Sequence, residues 1–187
     1  VEPALLARFS KLGSGTRAIG VWREAWAEGA VAPCVHLHGV SDPGNVGTVI
    51  RTAHALLGGS VVFGPDCADP YGPQAVRASM GAVFAEPLLR GGIDATPAPR
   101  AALVAHGGEP LAALDGMATV CLGAEREGLP EATIERCDVQ VTIPLRDQAE
   151  SLNVAAAAAI ALHRLCEGDP QPKPSGNPLN ARDSHGD

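Results

Sequence analysis

Between Pro33 and Glu167 short apolar runs alternate with longer stretches whose apolar residues recur at helical spacing. "CVHLHGV" predicts a strand, "NVGTVIRTAHALL" a helix and "SVVFG" the next strand. A turn-rich "PDCADPYGP" then leads to a short helix through "QAVRASMG". "ALVAH", "TVCLGAE" and "VQVTI" read as further strands, and "SLNVAAAAAIALHRLCE" as a last helix built largely of the strongest helix former. Strands alternating with helices predict an α/β fold, a mostly parallel sheet flanked by helices. Ligands of such sheets collect at the carboxyl ends of the strands. That singles out four loops: Gly39–Asn45, His106–Gly108, Gly123–Leu129 and Pro144–Ser151.

The flanks lack this rhythm. Residues 1–32 are mixed: a short helical pattern, a break at Gly13-Ser14-Gly15, then Trp22 and Trp26, which together suggest an N-terminal extension or linker. Residues 168–187 are dominated by proline, glycine and polar side chains, and are expected to be disordered. The folded domain is therefore expected over residues 33–167.

Composition narrows the picture. The 187 residues suffice for one α/β domain with short extensions, and the core must be aliphatic because aromatics are only 3%. A net charge of −7 argues against a nonspecific polyanion binder. Of 14 basic residues only Lys11 and Lys173 are lysines, so any cationic site is an arginine site, planar and suited to phosphate. Five cysteines form no CxxC pair and leave an odd count, which points to free thiols in a reducing compartment. No apolar run reaches membrane-spanning length and no leader pattern opens the sequence, so a cytoplasmic protein is expected, with no membrane partner.

Several chemistries fail on spacing. His36, His38 and His54 have no carboxylate or thiolate completing a zinc pattern, so no metal is expected. G-x-S-x-G and the Walker loop are absent, and Ala18 stands where a dinucleotide loop begun at Gly13 needs glycine. Three stretches remain, each with an ordinary explanation. Asn45 follows a Pro-Gly turn and suits a helix N-cap, with Arg51 six residues on. Gly123 closes a strand before Glu125, as in a plain turn. Ser151 fits a cap for the alanine-rich helix, with Asn153 in its first turn.

Taken together, "DPGNVGTVIRTA", "RASMGA", "LGAEREGL" and "IPLRDQAESLNVAAAAAI" resemble the SpoU (TrmH-like) family of RNA 2′-O-ribose methyltransferases, within the SPOUT superfamily. The likeness runs from about His36 to Leu165, with N-x-G-x-x-x-R, G-x-E-x-x-G and S-L-N in family order. It implies a C-terminal deep trefoil knot holding S-adenosylmethionine, a homodimer, and an RNA substrate, rRNA or tRNA. By matching position it implies a cofactor pocket of Leu122, Gly123, Ile143 and Leu152, with the loop Ala105, His106 and Gly107 contributing. Asn45, Arg51, Glu125, Ser151 and Asn153 match the polar catalytic positions, and Arg51 and Arg77 are the implied RNA contacts. Residues 1–32 would then be an extension or the remnant of a substrate-recognition domain. A noncatalytic RNA-binding or scaffolding protein with the same fold is the alternative. A base methyltransferase of the tRNA guanine-N1 type fits less well, because the N-x-G and S-L-N blocks belong to the ribose branch.

Overall fold

The computed structural model describes residues 20–146 and 151–167. The run Cys34–Leu37 forms strand β1, followed by helix α1 (Pro43–Leu56), β2 (Ser60–Phe63), α2 (Pro73–Ala78) and β3 (Leu88–Arg90). Then come β4 (Arg100–Leu103), β5 (Thr119–Leu122), α3 (Glu131–Ile134), β6 (Val139–Val141) and α4 (Val154–Glu167). One sheet takes the order β3-β2-β1-β5-β4-β6, with every neighbouring pair parallel. Central parallel strands are buried on both faces, which is why they read as largely apolar runs. β1, β2 and β5 are buried at every position. The α/β expectation holds. Strand β3 was not visible in the apolar pattern, because only three residues separate Pro87 from Gly91.

Successive strand residues face opposite sides. Val35, Leu37, Val61, Val120 and Leu122 join Val49, Ile50 and Ala53 of α1 and Ala158, Ala161 and Leu162 of α4 in the main core. The opposite face is thinner. There Cys34, Val62 and Leu89 form one cluster, and Ile93, Ala102, Cys121 and Leu129 another, with Ile134 of α3 packed on the latter. α1 also packs on α2, and Gly47 makes that possible: a Cβ there would stand 2.3 Å from the Ala75 carbonyl oxygen. The glycine of N-x-G is thus explained by helix packing.

Part of the N-terminal extension is tied to the domain. The Ala27 N–H donates to the Leu88 carbonyl at 2.7 Å, and Trp26 packs against the main core. The Gly13–Gly15 break and residues 168–187 lie outside the described residues. All five cysteines are free thiols, and burial pushes the Cys34 thiol up to about 12.

His36 is wholly buried in β1, and among the described residues neither ring nitrogen has a hydrogen-bond partner. Burial, with smaller pushes from the His38 and Arg100 charges, lowers its pKa from 6.5 to about 4, against a weak opposing pull from the Gly91 backbone. Between those values the unfolded chain holds a proton on His36 that the native chain does not, so stability falls as pH drops through that window. Relative to His36→Leu, the wild type is expected to lose roughly 2–3 kcal/mol of stability from pH 6.5 to pH 4. Urea unfolding at both pH values reads it; parallel profiles would show that His36 takes up its proton equally in the folded and unfolded states.

Candidate active site

The polar turn before α1 folds differently from the pattern-based expectation. Asp42, not Asn45, caps the helix: its carboxylate accepts the Asn45 backbone N–H at 2.7 Å, and Pro43 opens the first turn. Proline suits that position because its φ is preset and its missing N–H is not needed there. The side chain of Asn45 is therefore not used in capping. Its amide nitrogen donates to Glu125 Oε1 at 2.7 Å, across 80 residues of sequence.

Glu125 stands on a closed loop after β5. Ala124 and Gly128 exchange backbone hydrogen bonds of 3.1 and 3.0 Å, and Gly128 takes a φ of +70° that favours glycine. Gly123 lies under this closure, and a Cβ on it would stand 2.1 Å from the Gly128 carbonyl carbon. The two glycines of G-x-E-x-x-G thus have distinct tasks, close approach at Gly123 and a left-handed turn at Gly128.

Helix α4 begins at Val154, later than the pattern suggests. Asn153 is its cap rather than part of its first turn, because its side-chain oxygen accepts the Ala155 and Ala156 N–H groups at 2.9 and 3.4 Å. The Asn153 amide nitrogen donates to Asn45 Oδ1 at 3.1 Å. Asn153, Asn45 and Glu125 therefore form one hydrogen-bonded chain joining the starts of two helices to the loop after β5. Each asparagine is fixed in orientation, since its oxygen accepts on one side and its nitrogen donates on the other.

Beside this chain is a cavity of about 480 Å³, within the size range of small-molecule sites. Its walls come from Leu103–Ala105 at the end of β4, Leu122–Arg126 and Gly128 at the end of β5, Ile143 and Leu145 after β6, and Ser151, Leu152, Val154 and Ala157 at the start of α4. The lining combines aliphatic side chains with strand-end backbone, and Glu125, Arg126 and Ser151 are its polar side chains. Of the positions singled out in the sequence, Ala105, Leu122, Gly123, Glu125, Ile143, Ser151 and Leu152 line it; His106 and Gly107 do not. Arg51 lies outside it on α1, exposed, and Arg77 is exposed on α2. Among the described residues neither arginine makes an ion pair, and no group of three metal-ligating side chains occurs.

The sequence profile of the SpoU rRNA Methylase family matches residues 32–163, the same span that builds the sheet, the cavity and the polar chain. The chain belongs to that family. An uncharacterized tRNA/rRNA methyltransferase of Mycobacterium tuberculosis is 37% identical over a 141-residue alignment that covers 68% of this chain and 49% of the relative. The Bacillus subtilis 23S rRNA (guanosine(2553)-2′-O)-methyltransferase RlmP is 36% identical over 138 residues, 67% of this chain and 54% of that protein. A solved AdoMet-bound rRNA methyltransferase from Sinorhizobium meliloti superposes with a TM-score of 0.64 at 32% identity, over 71% of this chain and 54% of that one. The chain thus spans about half the length of these relatives.

Within this SpoU member, Arg126 is the cavity residue that motif reading passed over. It sits next to Glu125 in "GAEREG", and its adjacency was the available signal. Leu103, Val104, Val154 and Ala157 were also missed. They are ordinary apolar residues whose part in the site depends on where the strands end.

Proposed function

We propose that this chain is the catalytic portion of an S-adenosylmethionine-dependent RNA methyltransferase acting on a ribose 2′-hydroxyl of rRNA or tRNA. The observation that carries this is the Asn153–Asn45–Glu125 hydrogen-bonded chain beside a largely apolar, backbone-lined cavity. Relatives named as 2′-O-methyltransferases and an AdoMet-bound neighbour support it. The cavity suits such a cofactor: it has the volume of a small-molecule site, aliphatic walls for an adenine ring, and strand-end backbone groups for polar edges. Leu122, Gly123, Ile143 and Leu152 would hold it, with Ala105 at the rim.

When bound, S-adenosylmethionine supplies a methyl group on a cationic sulfur, so the leaving group needs no metal to assist it. The chain's own residues must align the ribose hydroxyl and raise its nucleophilicity. Arg51 does this by hydrogen bonding and charge stabilisation at the hydroxyl or its neighbouring phosphate, because a guanidinium carries donors only and has no acceptor with which to act as a base. Asn45 and Glu125 orient the nucleotide, while Ser151 and Asn153 hold the start of α4 in place. Arg77 contacts a phosphate.

Two further parts of the reading are structural. β6 lies at the sheet's edge, whereas α4 packs on α1 and on β5 near the sheet's middle. This placement of α4 away from β6 supports the trefoil knot that the family resemblance implies. Ile160 is an exposed apolar residue on α4, which supports a homodimer that packs on this helix. Light scattering at micromolar concentration is expected to give twice the chain mass; a monomeric mass counts against the dimer.

Calorimetry tests the cofactor. S-adenosylmethionine or its demethylated product is expected to bind the purified chain, with an affinity that a chelator leaves unchanged. No binding would overturn the reading, and loss of binding on chelation would overturn its metal-free chemistry.

A further inference from the structure

The same carboxyl edge of the sheet carries a second cavity, of about 470 Å³, at the ends of β2 and β3. Trp26, Phe63, Gly64, Asp69, Arg90 and Gly91 are among its walls. Its aromatic wall is held from several sides. The Tyr71 hydroxyl donates to the Ala25 carbonyl at 2.6 Å and the Ala27 N–H to the Leu88 carbonyl at 2.7 Å, which fixes the backbone on both flanks of Trp26. The indole meets Phe63 and Tyr71 edge-on, at interplanar angles of 85° and 89°. Its face is left to Arg90, whose guanidinium carbon lies 4.4 Å from the ring centroid.

This arrangement orders the guanidinium from below without burying it. The Arg90 side chain remains 64% exposed, and its ion pair with Asp69 is loose at 3.9 Å. A cation–π contact at such a site holds the side chain in place while leaving its charge available. RNA-binding proteins stack unpaired bases on arginine planes as they do on aromatic rings. Gly92, beside the cavity, has open space where a side chain would stand, so a ligand can approach the backbone there.

The second cavity is also joined to the first site. The Gly39 N–H donates to the Pro65 carbonyl and the Ala68 N–H to the Val40 carbonyl, both at 2.9 Å, so the loop after β2 is bonded to the loop after β1. Gly39 in turn packs on Ala124, next to Glu125. β2 and β5 flank β1, two strand spacings or about 10 Å apart. A short run of single-stranded RNA spans that distance.

Resting on the methyltransferase reading, we propose that this second cavity is a subsite for an unpaired base of the RNA, near the target nucleotide and stacked on the Arg90 guanidinium with Trp26 behind it. In the full chain, Trp22→Phe leaves Trp26 as the only tryptophan and makes it the reporter. Oligoadenylate is expected to quench its fluorescence, and Arg90→Ala to weaken that binding roughly 5- to 100-fold, the range for losing one stacked base. Arg90→Lys keeps the charge but not the plane, and is expected to recover less than half of the loss in log affinity. Asp69→Asn removes the competing carboxylate and is expected to tighten binding. Equal affinity in Arg90→Ala and its parent, full rescue by lysine, or weaker binding in Asp69→Asn would each overturn the subsite and leave the methyltransferase reading standing. A parent that binds no oligoadenylate also overturns the subsite, and the reading falls with it only if S-adenosylmethionine calorimetry on the same sample is blank.

Discussion

Arg51→Ala is expected to lower methyl transfer by about 10²–10³-fold, the usual cost of losing one preorganised charge-stabilising donor. Cofactor binding should be unchanged, because Arg51 lines no part of the cavity. Stability should move by no more than about 0.5 kcal/mol, since the side chain is exposed and has no ion pair among the described residues. Glu125, the carboxylate that could have paired with it, is instead bonded to Asn45. Single-turnover transfer to an RNA that the wild-type chain methylates, with a thermal melt of each variant, reads all three quantities. Retained transfer removes Arg51 from the chemistry, and a large loss of stability would reassign it to the fold.

Gly123→Ala should act on the other half of the site. The added Cβ would meet the Gly128 carbonyl carbon at 2.1 Å and the Leu129 nitrogen at 2.3 Å. Both are backbone atoms, so no side chain can swing aside and the loop after β5 must open. Overpacking of this kind costs about 1–3 kcal/mol. The loop also forms one cavity wall and carries Glu125, and a displacement near 1 Å at such a site can cost about 10²-fold. S-adenosylmethionine affinity is therefore expected to fall by roughly two orders of magnitude, measured by calorimetry. Gly20→Ala, where a Cβ meets nothing within 4 Å, is the control expected to bind normally. Wild-type affinity in Gly123→Ala would mean that the cofactor does not use this loop.

Particular residues mark where the sequence could be read and where it could not. β1, β2 and β5 were legible because strands buried on both faces are largely apolar, and α4 because alanine dominates it. β3 was hidden by its brevity. In "DPGN" both Asp42 and Asn45 are good caps, and local propensity does not choose between them; the observed Asp42–Asn45 bond does. At the other helix Asn153 takes the cap that Ser151 could have filled. The second cavity was illegible for a similar reason: Trp26 and Arg90 are 64 residues apart, and meet only because the chain before β1 runs along β3.

The sequence by itself determined the α/β class, the order of most elements, and the family blocks bearing Asn45, Arg51, Glu125, Ser151 and Asn153. Those follow from periodicity, propensity and short-range spacing, which act over a few residues. Tertiary structure alone decided that Asn45 bonds Glu125 across 80 positions and Asn153 across 108, and that loops after three strands enclose one cavity. It also decided why Gly47 and Gly123 are glycines, since the atoms that crowd them belong to other turns of the chain. The physical reason is that a side chain's hydrogen-bond partner and the room beside a Cα are set by whichever segments pack there, and packing across strands leaves no trace in local sequence spacing.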